Sequence, residues 1–149
     1  MSSQTVTLTA IPEAYKIVKW KPSAVVALWP SLLSLTEPRA GLSLFSLNVT
    51  ATETSLVCAE SLVLPDLGPE HAPSIEAGYA AFVVDGQLDF ALVGILASIT
   101  TALAEKSISV FAVSTFDTDY VLVKKEKRDE AIEAWRAFNK AAWTMNVKG

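Results

Sequence analysis

Residues Phe111–Glu126 are echoed earlier in the chain by Phe45–Glu60, at a constant offset of 66 residues. Phe45/Phe111, Thr52/Thr118, Leu56/Leu122, Val57/Val123 and Glu60/Glu126 are identical, and Glu53/Asp119 keeps an acid. An internal repeat constrains architecture before any single motif does. Here it predicts two copies of one small unit, each containing a β-hairpin.

The second copy reads as a complete unit. Tyr79–Val84 is a short apolar strand closed by Asp85-Gly86. Asp89 is placed to cap a helix through the free amide protons of its first turn. Leu92, Ile95, Leu96, Ile99 and Leu103 then recur at helical spacing. Ser109–Thr115 and Tyr120–Lys124 are rich in valine and aromatics, as strands are. Ala131, Ala134, Trp135 and Phe138 line a second helix, and Trp143, Met145 and Val147 alternate as a last strand. The order is βαββαβ, an α+β plan that buries one face of an antiparallel sheet under two helices.

The first copy is less regular. Thr5–Ala10 alternates polar and apolar side chains, Ile11–Ala14 breaks the pattern, and Tyr15–Trp20 resumes it. Proline suits a first helical turn, so a helix is expected to start near Pro30. Leu42–Asn48 and Ser55–Glu60 form the hairpin. From Leu64 to Gly78, Pro65, Gly68, Pro69, Pro73 and Gly78 read as a linker. The expected division is residues 1–66, a linker at 67–78, and residues 79–149, with the two units pairing edge to edge to cover open strands.

Composition narrows the function classes. With 51% hydrophobic residues the chain can bury a core, and a net charge of −4 gives no basic footprint for nucleic acid. The longest uncharged runs, Pro22–Thr36 and Phe90–Ala104, fall short of a membrane span. No secretory signal is visible at the N-terminus. The single cysteine, Cys58, lies in an apolar run and reads as an inert core thiol suited to a reducing cytoplasm. His71, the one histidine, has no convergent ligand set around it and is expected exposed in the linker. No nucleophile–base pair, phosphate loop or metal cluster is present, so neither enzyme activity, cofactor nor metal is expected.

The segment Leu88–Ser98 followed by Ile108–Val123 resembles the ACT-domain family, and more closely its CASTOR-type branch of stand-alone tandem proteins. The resemblance implies ferredoxin-like βαββαβ units, an amino acid or related small ligand bound at an interface between ACT units, a homo-oligomer and a regulatory protein partner. Carried over by position, it implies that Thr115, Phe116 and Asp119 line the ligand pocket, with Gly94 and Ile95 supplying close approach and an apolar wall. Acidic residues that precede the glycine in the arginine-sensing relatives are replaced here by Ala91 and Leu92. Asp119 can face a ligand cation or cap its own turn, and Glu53 is its repeat partner. The competing expectation is a non-catalytic dimerisation or partner-binding module without a ligand.

Overall fold

The computed structural model describes residues 4–37, 44–86, 92–139 and 143–149. Its elements in chain order are β1 (Gln4–Trp20), α1 (Ala24–Thr36), β2 (Ser46–Val49), β3 (Thr54–Ala59), β4 (Ser74–Val84), α2 (Ile95–Ala104), β5 (Phe111–Ser114), β6 (Asp119–Lys124), α3 (Arg128–Ala137) and β7 (Trp143–Lys148). The fold is mixed α+β. The chain divides into two compact units, Met1–Pro12 with Tyr79–Gly149, and Glu13–Gly78.

In the larger unit the first part of β1 lies between β7 and β4, and β6 and β5 follow β4. β4/β6 and β5/β6 pair antiparallel, whereas Gln4–Thr9 pairs in parallel with Trp143–Lys148. This parallel ladder departs from the all-antiparallel expectation. It arises because the strand Thr5–Ala10, expected in the first copy, is inserted beside the last strand of the second. Val6, Leu8, Phe82, Ile99, Leu103, Val121, Val123 and Trp135 form the core. Trp135 is fully buried, meets Phe82 edge to face at 4.8 Å, and donates its indole N–H to the Ile99 carbonyl at 3.1 Å. That bond satisfies the one polar atom a buried tryptophan carries.

In the smaller unit, Tyr15–Trp20 of β1 pairs antiparallel with β3, and β3 with β2. Val18, Trp20, Ala24, Leu28, Leu56 and Cys58 are its core. Burial pushes the Cys58 thiol up to about 11. The expected linker is built differently. Leu62, Leu64 and Leu67 pack on this core, and the Lys16 ammonium donates to the carbonyls of Glu60 and Leu62 at 3.1 and 2.6 Å. Strand β4 already begins at Ser74. His71 is not an exposed linker residue either: its side chain is 16% exposed, and Nε2 lies 3.2 Å from the Ser23 hydroxyl.

Two prolines sit where breaks were expected and none occurred. Pro12 lies inside β1, between Thr9, the last partner of β7, and Tyr15, the first partner of β3. Its missing amide therefore costs neither ladder a bond. Pro30 lies inside α1 on the exposed side, so the helix starts at Ala24 rather than near Pro30. The carbonyl that Pro30 leaves unbonded, four residues earlier, belongs to exposed Val26, where water can satisfy it.

The order β-α-β-β recurs as β1-α1-β2-β3 and β4-α2-β5-β6. The two hairpins superpose in sequence at an offset of 65, not 66: Ser46 pairs with Val57 as Phe111 pairs with Leu122. The buried trio Leu56-Val57-Cys58 then corresponds to Val121-Leu122-Val123. Since a strand's side chains alternate, a one-residue slip would exchange the two faces. Burial thus selects the register that identity did not.

Candidate functional site

The β5–β6 connection is a tight turn locked by its own threonines. The Thr115 amide donates to the Thr118 carbonyl at 2.8 Å, and the Thr115 hydroxyl donates to the same carbonyl at 3.1 Å. The Thr118 hydroxyl donates to the Val84 carbonyl at 2.7 Å, tying the turn to the end of β4. With both hydroxyls spent, the turn holds Phe116 at its apex, where the ring is 79% exposed. Asp119 opens β6 opposite Ser114 and accepts that residue's hydroxyl on Oδ1. It is half-buried, and among the described residues Oδ2 has no hydrogen-bond partner.

Helix α2 begins nearby. Gly94 precedes it with φ +85°, in the left-handed region that side-chain-bearing residues avoid. The backbone therefore requires glycine at the helix entry, whatever approaches it. The first-turn amides of Ile95, Leu96 and Ala97 have no side-chain cap among the described residues. Asp89, the expected cap, lies outside them. A Cβ on Gly94 would stand 3.6 Å from Trp143 Nε1, an ordinary contact, so replacement carries a conformational cost alone. Gly94→Ala is expected to lower stability by about 1–2 kcal/mol, and Gly94→Asn by less, measured by urea denaturation.

A cavity of about 320 Å³ opens between this helix start and the turn. Gly94, Ile95, Thr115, Phe116 and Asp119 all line it. Sequence reasoning missed two contributors. Leu92, read as part of the helix face, lies before the helix and forms an exposed wall. Trp143 donates its indole N–H to the Val93 carbonyl at 3.2 Å and so supports the cavity's rim from β7. Glu53 is not the counterpart of Asp119. At the structural offset that place belongs to Thr54, which is fully buried and donates to the Pro22 carbonyl.

Residues 74–136 match the ACT domain family model. The matched segment runs from β4 into α3 and contains the whole cavity. Among solved structures, a protein of Agobacterium tumefaciens is similar at 20% identity and TM-score 0.69, over 99% of this chain and 96% of that one. The regulatory subunit of aspartate kinase from Thermus thermophilus is similar at 10% identity and TM-score 0.60, over 93% of this chain and all of the other. Aspartate kinase of Clostridium acetobutylicum is similar at 16% identity and TM-score 0.65, over 95% of this chain but 36% of the enzyme. At such identities the likeness is one of fold. No curated protein sequence matches the chain. No helix among the described residues is long and apolar enough to cross a membrane.

Proposed function

We propose that the protein is a non-catalytic regulatory module that binds an amino acid and is built from two ACT-like units. The observation that carries this reading is the cavity of the ACT-matching segment. It sets around one space the amides of Ile95, Leu96 and Ala97, which have no side-chain cap among the described residues, and the Asp119 oxygen that shares no hydrogen bond with those residues. An amino acid carries one charge for each. A helix start attracts a carboxylate, and a charge-assisted bond holds an ammonium to an aspartate. The recurring β-α-β-β order supports the tandem plan, and the likeness to an aspartate kinase regulatory subunit supports a regulatory role. The finer likeness to the CASTOR-type branch, and a site completed by an ACT unit of a second copy, belong to the same proposal.

A thermal-shift screen of the common amino acids tests it. The favoured ligand is expected to raise stability with concentration, by about 2.7 kcal/mol at a hundredfold excess over Kd. Asp119→Ala should abolish that shift. Silence across the panel would end the reading.

A second reading is favoured by α1. Val26, Trp29 and Leu33 are 77, 71 and 78% exposed, and the helix Ala24–Thr36 contains no charged residue. An uncharged apolar stripe of this kind suits a protein–protein contact. Under that reading the chain is an association module, and its oligomeric state depends on concentration while amino acids leave it unchanged.

A further inference from the structure

The cavity's lining also bears on the side chain its ligand brings. Among the described residues, Asp117 and Asp119 are the charged ones on it, and no lysine, arginine or histidine lines it. An acidic side chain would meet these two like charges, with no cation among the described lining residues to offset them. The hydroxyls of Ser114, Thr115 and Thr118 already donate to Asp119, the Thr118 carbonyl and the Val84 carbonyl. A polar side chain therefore finds few donors there.

A basic side chain fares little better. The free oxygen of Asp119 is matched by the ligand's α-ammonium. Asp117 stands exposed beside the apex of the turn, where an ion pair contributes little. Drawing a cation against Leu92, Ile95 and Phe116 would meanwhile cost it part of its hydration. Those three side chains are the apolar wall, and Leu92 and Phe116 present 42 and 79% of their surface to solvent. Covering them is the gain the cavity offers.

We propose that the site selects α-amino acids with a large uncharged apolar side chain, which lies against Leu92, Ile95 and Phe116. The proposal rests on the amino-acid-binding reading above and adds the class of ligand. Isothermal titration of the full chain with leucine, phenylalanine, alanine, aspartate and lysine tests it. Leucine or phenylalanine is expected to bind about tenfold or more tightly than aspartate or lysine. Phe116→Ser should weaken leucine and phenylalanine binding about tenfold while moving alanine by less than about twofold. Because Phe116 is exposed, the variant's thermal midpoint without ligand should match the parent. Tighter binding of lysine or aspartate, or a Phe116→Ser variant unchanged toward leucine, overturns the selection rule and leaves the amino-acid reading standing. No heat from any of the five overturns the rule, and silence across the whole thermal-shift panel overturns that reading with it.

Discussion

Trp135→Ala is expected to destabilise the protein by about 3–5 kcal/mol, a large fraction of a small domain's stability. Trp135 is fully buried on α3, between Phe82 of β4 and the backbone of α2. Truncation leaves a void that strands and helices on three sides cannot close, and strips the Ile99 carbonyl of its indole donor. Trp135→Phe helps to separate the two costs, since it keeps most of the volume while removing the hydrogen-bond donor, worth about 1 kcal/mol. Urea denaturation followed by far-UV circular dichroism measures both. An alanine variant within about 1 kcal/mol of the parent would mean that the α2–α3 layer is not the keystone of this core.

Deleting Gln4–Pro12 should have a still wider effect. Those residues supply the strand between β4 and β7, with six parallel pairings to Trp143–Lys148. They also contribute the buried side chains Val6 and Leu8 to the core. Without them β4 and β7 each present an unpaired edge, and lost burial adds to lost backbone pairing. The cooperative transition of the unit containing α2 and α3 is expected to disappear, with the amides of β7 exchanging at the rate of an unfolded chain. A fragment beginning at Tyr79 should fail for the same reason. Native-like protection of β7 in either protein would contradict the inserted-strand topology.

The second half of the chain was legible because each element there satisfies its own local rule. Ile95, Ile99 and Leu103 keep helical spacing, the valines of β6 keep a strand composition, and the order β4-α2-β5-β6-α3-β7 follows from them. The first half was obscured by long-range pairing. Nothing local to Thr5–Ala10 says that its partner is Trp143–Lys148, far along the chain. Nor does Pro30 announce that solvent will satisfy the carbonyl it frees. The repeat was visible but misregistered by one residue, because identities at Leu56/Leu122 outweighed a burial pattern that only coordinates display. At the site, the five residues picked from sequence surround one cavity. The support from Trp143 was invisible, since its indole reaches Val93 only through the fold.

The burial of Cys58 has a practical consequence. A thiol near pKa 11 is ionised at neutral pH in about one molecule in ten thousand, and only the thiolate attacks alkylating reagents. For maleimide chemistry the native chain is thus effectively silent. A fluorophore or spin label attached through one cysteine introduced on an exposed face would report from that place alone, with no need to engineer the core first.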